Sequence, residues 1–223
     1  MFRIYKGEKE SKLATGNVLL VDVILSTSLI TEIFLRGAAK VIPVGDMETL
    51  EYLKKKNPEF VTVGDYVRQY PEIFDVDIFS AESFDNYDFN QKTVIYISYN
   101  GTKRISESMN AKKHYIVSFL NFSKVCEIVK NNPSNFCFLL AMSEHFDSDE
   151  DISFAEALSE YIKKGTVDFS KYLLRVSSSD VVRNGNLIFK NPNLVELSLK
   201  LDTTDIVPYT YHDKELGMLC ITI

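Results

Sequence analysis

The sequence predicts an α/β fold: a three-layer α/β/α sandwich with a largely parallel sheet and an antiparallel C-terminal edge. Three observations predict it. Short apolar runs of strand length alternate with segments whose apolar residues recur at helical spacing. Turn and cap residues punctuate them, among them Gly37, Asp46, Pro58, Gly64, Gly101 and Asn121. The run at 136–141 is apolar throughout, as a parallel strand covered on both faces must be. A chain of 223 residues can bury one such core, so residues 1–223 read as a single domain.

Taken in order, residues 1–15 are polar and charged, with a short edge strand expected at 2–5 and then a loop. Val18-Leu19-Leu20-Val21 is a strand ending on Asp22. Ser26-Thr27-Ser28 follow, then Leu29, Ile30, Ile33 and Phe34 at helical steps, with Gly37 as the stop. Residues 40–44 are a strand, Asp46 caps a helix carrying Met47, Leu50 and Leu53, and 60–63 are a third strand closed by Gly64-Asp65. Residues 66–90 break the rhythm, either as a lid or binding loop or as a plain surface excursion. It resumes with a strand at 93–98, a turn at Asn100-Gly101-Thr102, a helix with Ile105 and Met109, a strand at 115–118, and a helix capped by Asn121. A constant offset of 75 pairs Thr27 with Thr102, Val41 with Ile116 and Asp46 with Asn121, which suggests two βαβα halves at about 17–64 and 92–141. Any two βαβα units with equal loops would also match this way. After the strand at 136–141 come a polar loop at 143–149, a helix opened by Glu150-Asp151 and stopped by Gly165, and a C-terminal extension. The extension holds helices near 169–176 and 193–201 and a final strand pair at 206–211 and 218–223.

Composition narrows the function. The net charge is −6 with no basic stripe, which argues against nucleic acid and anionic membrane as partners. No apolar run reaches a membrane span and no signal pattern opens the chain, so a cytoplasmic location is expected. Cys126, Cys137 and Cys220 sit in apolar contexts and read as buried thiols. His114, His145 and His212 have no ligand spacing.

Ligands of open parallel sheets sit outside the carboxyl ends of the strands. Polar groups reach that edge from four places: Asp22 with Ser26, Thr27 and Ser28; Gly64 with Asp65; Ser98 with Asn100, Gly101 and Thr102; and Glu150 with Asp151. Asp22, Asp65, Glu150 and Asp151 are oxygen donors suited to Mg²⁺. Ser26, Thr27, Asn100, Gly101, Thr102 and Asn121 are candidate phosphate-binding residues. The same residues also suit plain caps, turns and strand ends. Metal and oxyanion donors together are the kit for phosphoryl chemistry, with Asp22 and Asp65 as the candidate catalytic pair. Attack by Asp22 itself and attack by an activated water both remain open.

These residues carry a resemblance. Asp22-Val23-Ile24 with Ser26-Thr27-Ser28, Gly37-Ala38-Ala39, Val41-Ile42-Pro43-Val44, Asn100-Gly101-Thr102, Ser118-Phe119-Leu120-Asn121, Glu150-Asp151 with Ala155, and Ile206-Val207-Pro208 occur in the order seen in the 2-phosphosulfolactate phosphatases. The resemblance implies an α/β/α sandwich and a Mg²⁺-dependent hydrolase of 2-phosphosulfolactate, a step of coenzyme M synthesis. The expected partner is a small anionic phosphoester, and a homodimer is compatible with it. The chain departs from the family at Leu25, at Tyr66 in Gly64-Asp65-Tyr66, and at Phe79-Ser80-Ala81, where the family usually has Arg, Gly-Glu-Arg and Asn-Ser-Pro. Arg68, Lys103 and Arg104 are the nearby bases that stand to compensate. The alternative is a catalytically degenerate relative that binds a small ligand or a partner protein.

Overall fold

The computed structural model describes residues 2–142, 148–184 and 191–223. Five strand segments run in the expected order: β1 (Arg3–Lys6), β2 (Gly16–Val21), β3 (Lys40–Val44), β4 (Val61–Gly64) and β5 (Thr93–Ile97). Then come β6 (Ala111–Val117), β7 (Phe136–Leu140), β8 (Tyr209–Asp213) and β9 (Met218–Thr222). The main helices between them are α1 (Gly7–Ser11), α2 (Ser26–Leu35), α3 (Met47–Lys56), α4 (Ala81–Asp85), α5 (Gly101–Glu107) and α6 (Phe122–Val129). The C-terminal part adds α7 (Asp149–Lys164), α8 (Phe169–Ser177), α9 (Asp180–Asn184) and α10 (Pro192–Leu199). The loop expected before α7 lies partly outside the described residues, at 143–147.

The strands form one nine-stranded sheet in the order β1-β7-β2-β6-β8-β9-β3-β5-β4. It is a largely parallel α/β sheet, and β8 pairs antiparallel with β9 as expected. Their place is not an edge, however, which corrects the expectation of an antiparallel C-terminal edge. The hairpin fills the centre, touching β6 through Tyr115↔Tyr209 and β3 through Val41↔Ile221. Val41, Ile116, Cys220 and Ile221 are buried there, so the hairpin gains more apolar cover than an edge offers. An ion pair of Lys40 with Asp213 adds a polar tie between β3 and β8.

The hairpin divides two parallel trios, β7-β2-β6 and β3-β5-β4. The two halves read from the sequence are interleaved across them. β2 lies with β6 and β7, while β3 and β4 lie with β5. So α2 carries the chain from the first trio to the second, α5 carries it back, and the two crossover helices touch. This brings the ends of β2 and β5 together over the sheet.

Residues 66–90 pack rather than float. Val67, Phe74, Val76, Ile78, Phe79, Phe84 and Phe89 are buried, which favours the packed excursion over a lid. Met109, expected on a helix face, lies beyond α5 and is 75% exposed.

Candidate active site

Asp22 is the first residue beyond β2, whose Val18–Val21 run is fully buried. Three hydroxyls fold the following loop back onto it. Thr27 donates both its N–H (2.9 Å) and its Oγ1–H (2.8 Å) to the Asp22 carbonyl. Ser28 Oγ donates to the Val23 carbonyl at 2.9 Å, and Ser26 Oγ donates to Asp22 Oδ2 at 2.7 Å. Only the last bond reaches the carboxylate.

The second trio approaches the same atom. A Cβ added to Gly101 would lie 2.7 Å from Asp22 Oδ2 and 2.8 Å from Ser26 Oγ, so α5 can come this close only with glycine. The Gly101 N–H acts on the Asp22 carboxylate. Gly64 does the same service for Asp65, because an added Cβ would meet the Ile97 carbonyl oxygen at 2.1 Å. Asp65 then accepts the Tyr99 N–H on Oδ2 at 3.0 Å, while Oδ1 is enclosed without a partner. As a whole residue Asp65 is half-buried; its carboxyl oxygen is not exposed.

Glu150 and Asp151 stand in the first turn of α7, where the helix dipole favours acids. Asp151 Oδ1 accepts the Val23 N–H at 2.9 Å and ties α7 to the loop after β2. Glu150 Oε2 is buried without a partner.

Electrostatics join the four acids. Burial pushes the Asp22 carboxyl up, against the bonds from Ser26 and Gly101 and the charge of Arg104, which pull it down. Burial raises Asp65 to about 7, with the Asp22 charge adding to it. Burial and then the Asp22 charge raise Glu150 to about 7 as well. Asp151 is pushed well above the usual carboxylate range by burial, Asp22 and Glu150. Asp22 is thus the shared neighbour of acids from both trios.

Among the described residues, no group of three or more His, Cys, Asp and Glu side chains makes a ready-made metal shell. The donor set still fits Mg²⁺, which binds through one or two carboxylates plus waters and substrate phosphate. Two enclosed carboxylate oxygens lack partners, and four acids face little positive charge.

Ser26 and Gly101 therefore meet at Asp22, where Ser26 donates its hydroxyl proton to the carboxylate, and the charge of Asp22 reaches Asp65, Glu150 and Asp151. Asn100 caps α5 with no side-chain bond to the helix and stays half-buried. Three expectations are corrected. Thr27 Oγ1 is committed to the Asp22 main chain, and Thr102 Oγ1 accepts the Ser98 N–H at 2.9 Å in the matching turn. The Asn121 amide donates to the Ile116 and Ile206 carbonyls at 3.2 and 3.0 Å and accepts the Ser118 N–H at 3.1 Å. The Thr27 and Asn121 donors are spent on backbone carbonyls, and the Thr102 hydroxyl turns back to the Ser98 carbonyl at 3.4 Å.

Two residues were under-read. Tyr96 on β5 is fully buried with an unpartnered hydroxyl, and the charges of Asp65 and Asp22 reach it. A tyrosine within a wholly buried strand was the available signal, since a buried phenol needs a partner. Arg104 is 4% exposed, ion-paired with Glu107 and close enough to act on Asp22. Of the other bases, exposed Arg68 pairs with Asp77 at 3.0 Å and half-buried Lys103 with Glu8 at 3.4 Å.

Comparison with known proteins points to one family. The model of a family described as 2-phosphosulpholactate phosphatase matches residues 3–204. A protein of Thermoplasma acidophilum named probable 2-phosphosulfolactate phosphatase is 30% identical over 209 residues, covering 93% of this chain and 91% of its own. One of the same name from Caldanaerobacter subterraneus subsp. tengcongensis is 26% identical over 223 residues, covering 99% and 86%. A third, from Bacillus subtilis, is 24% identical over 179 residues, covering 80% and 78%.

Proposed function

The chain belongs to the 2-phosphosulpholactate phosphatase family, and on that premise we propose that it is a Mg²⁺-dependent phosphatase acting on a small anionic phosphoester. What supports the reading is that Asp22, tied to Ser26 and closely approached by Gly101, is near enough for its charge to act on Asp65, Glu150 and Asp151. Of Asp22, Asp65, Glu150 and Asp151, one or two carboxylates would hold the ion together with waters and the substrate's phosphate; when bound it would supply charge neutralisation to the phosphoryl group. Ser26 and the Gly101 N–H hold the Asp22 carboxylate in one orientation. Burial raises the Asp65 carboxyl to about 7 with no ion present, and a bound ion would favour its ionised form. Asn100, half-buried with no side-chain bond to α5, would contact the substrate's phosphate.

The direct test is phosphate release from small phosphomonoesters with Mg²⁺ present. Asp22→Ala should lower kcat by about a hundredfold or more while circular dichroism shows the fold intact. Wild-type rates in that variant would remove Asp22 from the chemistry.

A non-catalytic, ligand-binding reading is favoured by one observation: Arg68, Lys103 and Arg104 are each paired with an acid. Failure of the wild-type protein to release phosphate from any phosphomonoester would select it.

A further inference from the structure

Three tyrosines gather beside Asp65. Tyr66 follows it in the chain, and the Tyr99 N–H is the donor to its Oδ2. The rings of Tyr66 and Tyr99 lie 4.4 Å apart between centroids, tilted at 47°. Tyr99 is 41% and Tyr70 39% exposed, so the cluster meets solvent at the rim of the site. Gln69 Nε2 donates to Tyr99 Oη at 2.9 Å and holds that ring in place. The charge of Asp65 reaches both the Tyr66 and Tyr99 phenols. The partnerless Asp65 Oδ1 lies enclosed beside them.

We propose that Tyr66 and Tyr99 form a platform for the alcohol part of the substrate, and that this part is an uncharged aryl ring. The proposal rests on the phosphatase reading of Asp65 and specifies its substrate class. Tyrosine faces bind a flat apolar group well, and aromatic pairs add to simple burial. A second anionic group is disfavoured here. The closest bases in sequence, Arg68 and Lys103, already face Asp77 and Glu8.

Binding and turnover test it separately. Calorimetry on the full chain with Mg²⁺ should find phenylphosphonate bound about tenfold more tightly than methylphosphonate. Tyr66→Ala and Tyr99→Ala should each cut that preference severalfold, and Tyr66→Phe, which keeps the ring, should retain it. In steady-state assays benzyl phosphate should show a lower KM than ethyl phosphate, glucose 6-phosphate or 2-phosphosulfolactate. Equal affinity for the two phosphonates overturns the platform, as does an unchanged preference in both folded alanine variants. A lower KM for glucose 6-phosphate or 2-phosphosulfolactate overturns the aryl assignment. Phenyl preference in binding without hydrolysis of any ester supports the platform while refuting the phosphatase reading.

Discussion

At Asp22, burial competes with hydrogen bonding for the charge on one carboxylate. Ser26, Gly101 and Arg104 favour the ionised form, and the loss of water outweighs them. His114 shows the same competition away from the site. Its Nε2 meets Ser108 Oγ at 2.7 Å and its Nδ1 meets Thr210 Oγ1 at 3.2 Å, both neutral hydroxyls. Burial lowers its pKa to about 4, so the folded protein keeps the ring neutral. Unfolded chains take up that proton from about pH 6.5 downward, so this residue costs stability as pH falls from about 6.5 to 4. The loss at the acid end is about 3 kcal/mol. The raised carboxyls of the site have the opposite slope, so the contribution of His114 is read by difference. Urea unfolding of wild type and His114→Asn at pH 7 and pH 4.5 should show a smaller acid loss in the variant; equal losses would refute the assignment. None of this was legible in the sequence, where His114 was one of three scattered histidines. Its partners Ser108 and Thr210 lie on separate elements.

Elements were more legible than contacts. The cap at Asp46 is real, with its Oδ1 accepting the Thr49 N–H at 2.7 Å, and Gly165 ends α7 with φ of 76°. Those signals are local, so they survive without tertiary information. The position of the β8–β9 hairpin was not legible. Its strands look alike at an edge or in the centre, and only the empty place between two trios decides. The commitment of Thr27 and Thr102 to backbone was equally hidden, because a hydroxyl before a helix can cap, clamp or bind. Gly101 gives the sharpest test at this scale. Gly101→Ala should push α5 away from Asp22 and Ser26, costing about 1–3 kcal/mol of stability and most of the activity. A variant with wild-type stability and rate, measured by thermal unfolding and phosphate release, would show that the close approach is dispensable.

For the whole molecule, the interleaved trios explain why a site exists at all. α2 and α5 cross between the trios and touch, so the turn after β2 meets the start of α5. Asp22, Glu150 and Asp151 follow strands of one trio, and Asp65 and Gly101 follow strands of the other. The order of the acids along the chain suggested a shared edge, and the parallel strands deliver them to it. The central claim is that acids from both trios serve one ion. Calorimetry of Mg²⁺ in the presence of inorganic phosphate, on wild type, Asp65→Asn and Glu150→Gln, tests it most directly. Both variants should bind the ion at least about tenfold more weakly than wild type with the fold unchanged. Wild-type affinity in either folded variant would contradict a site shared between the two halves.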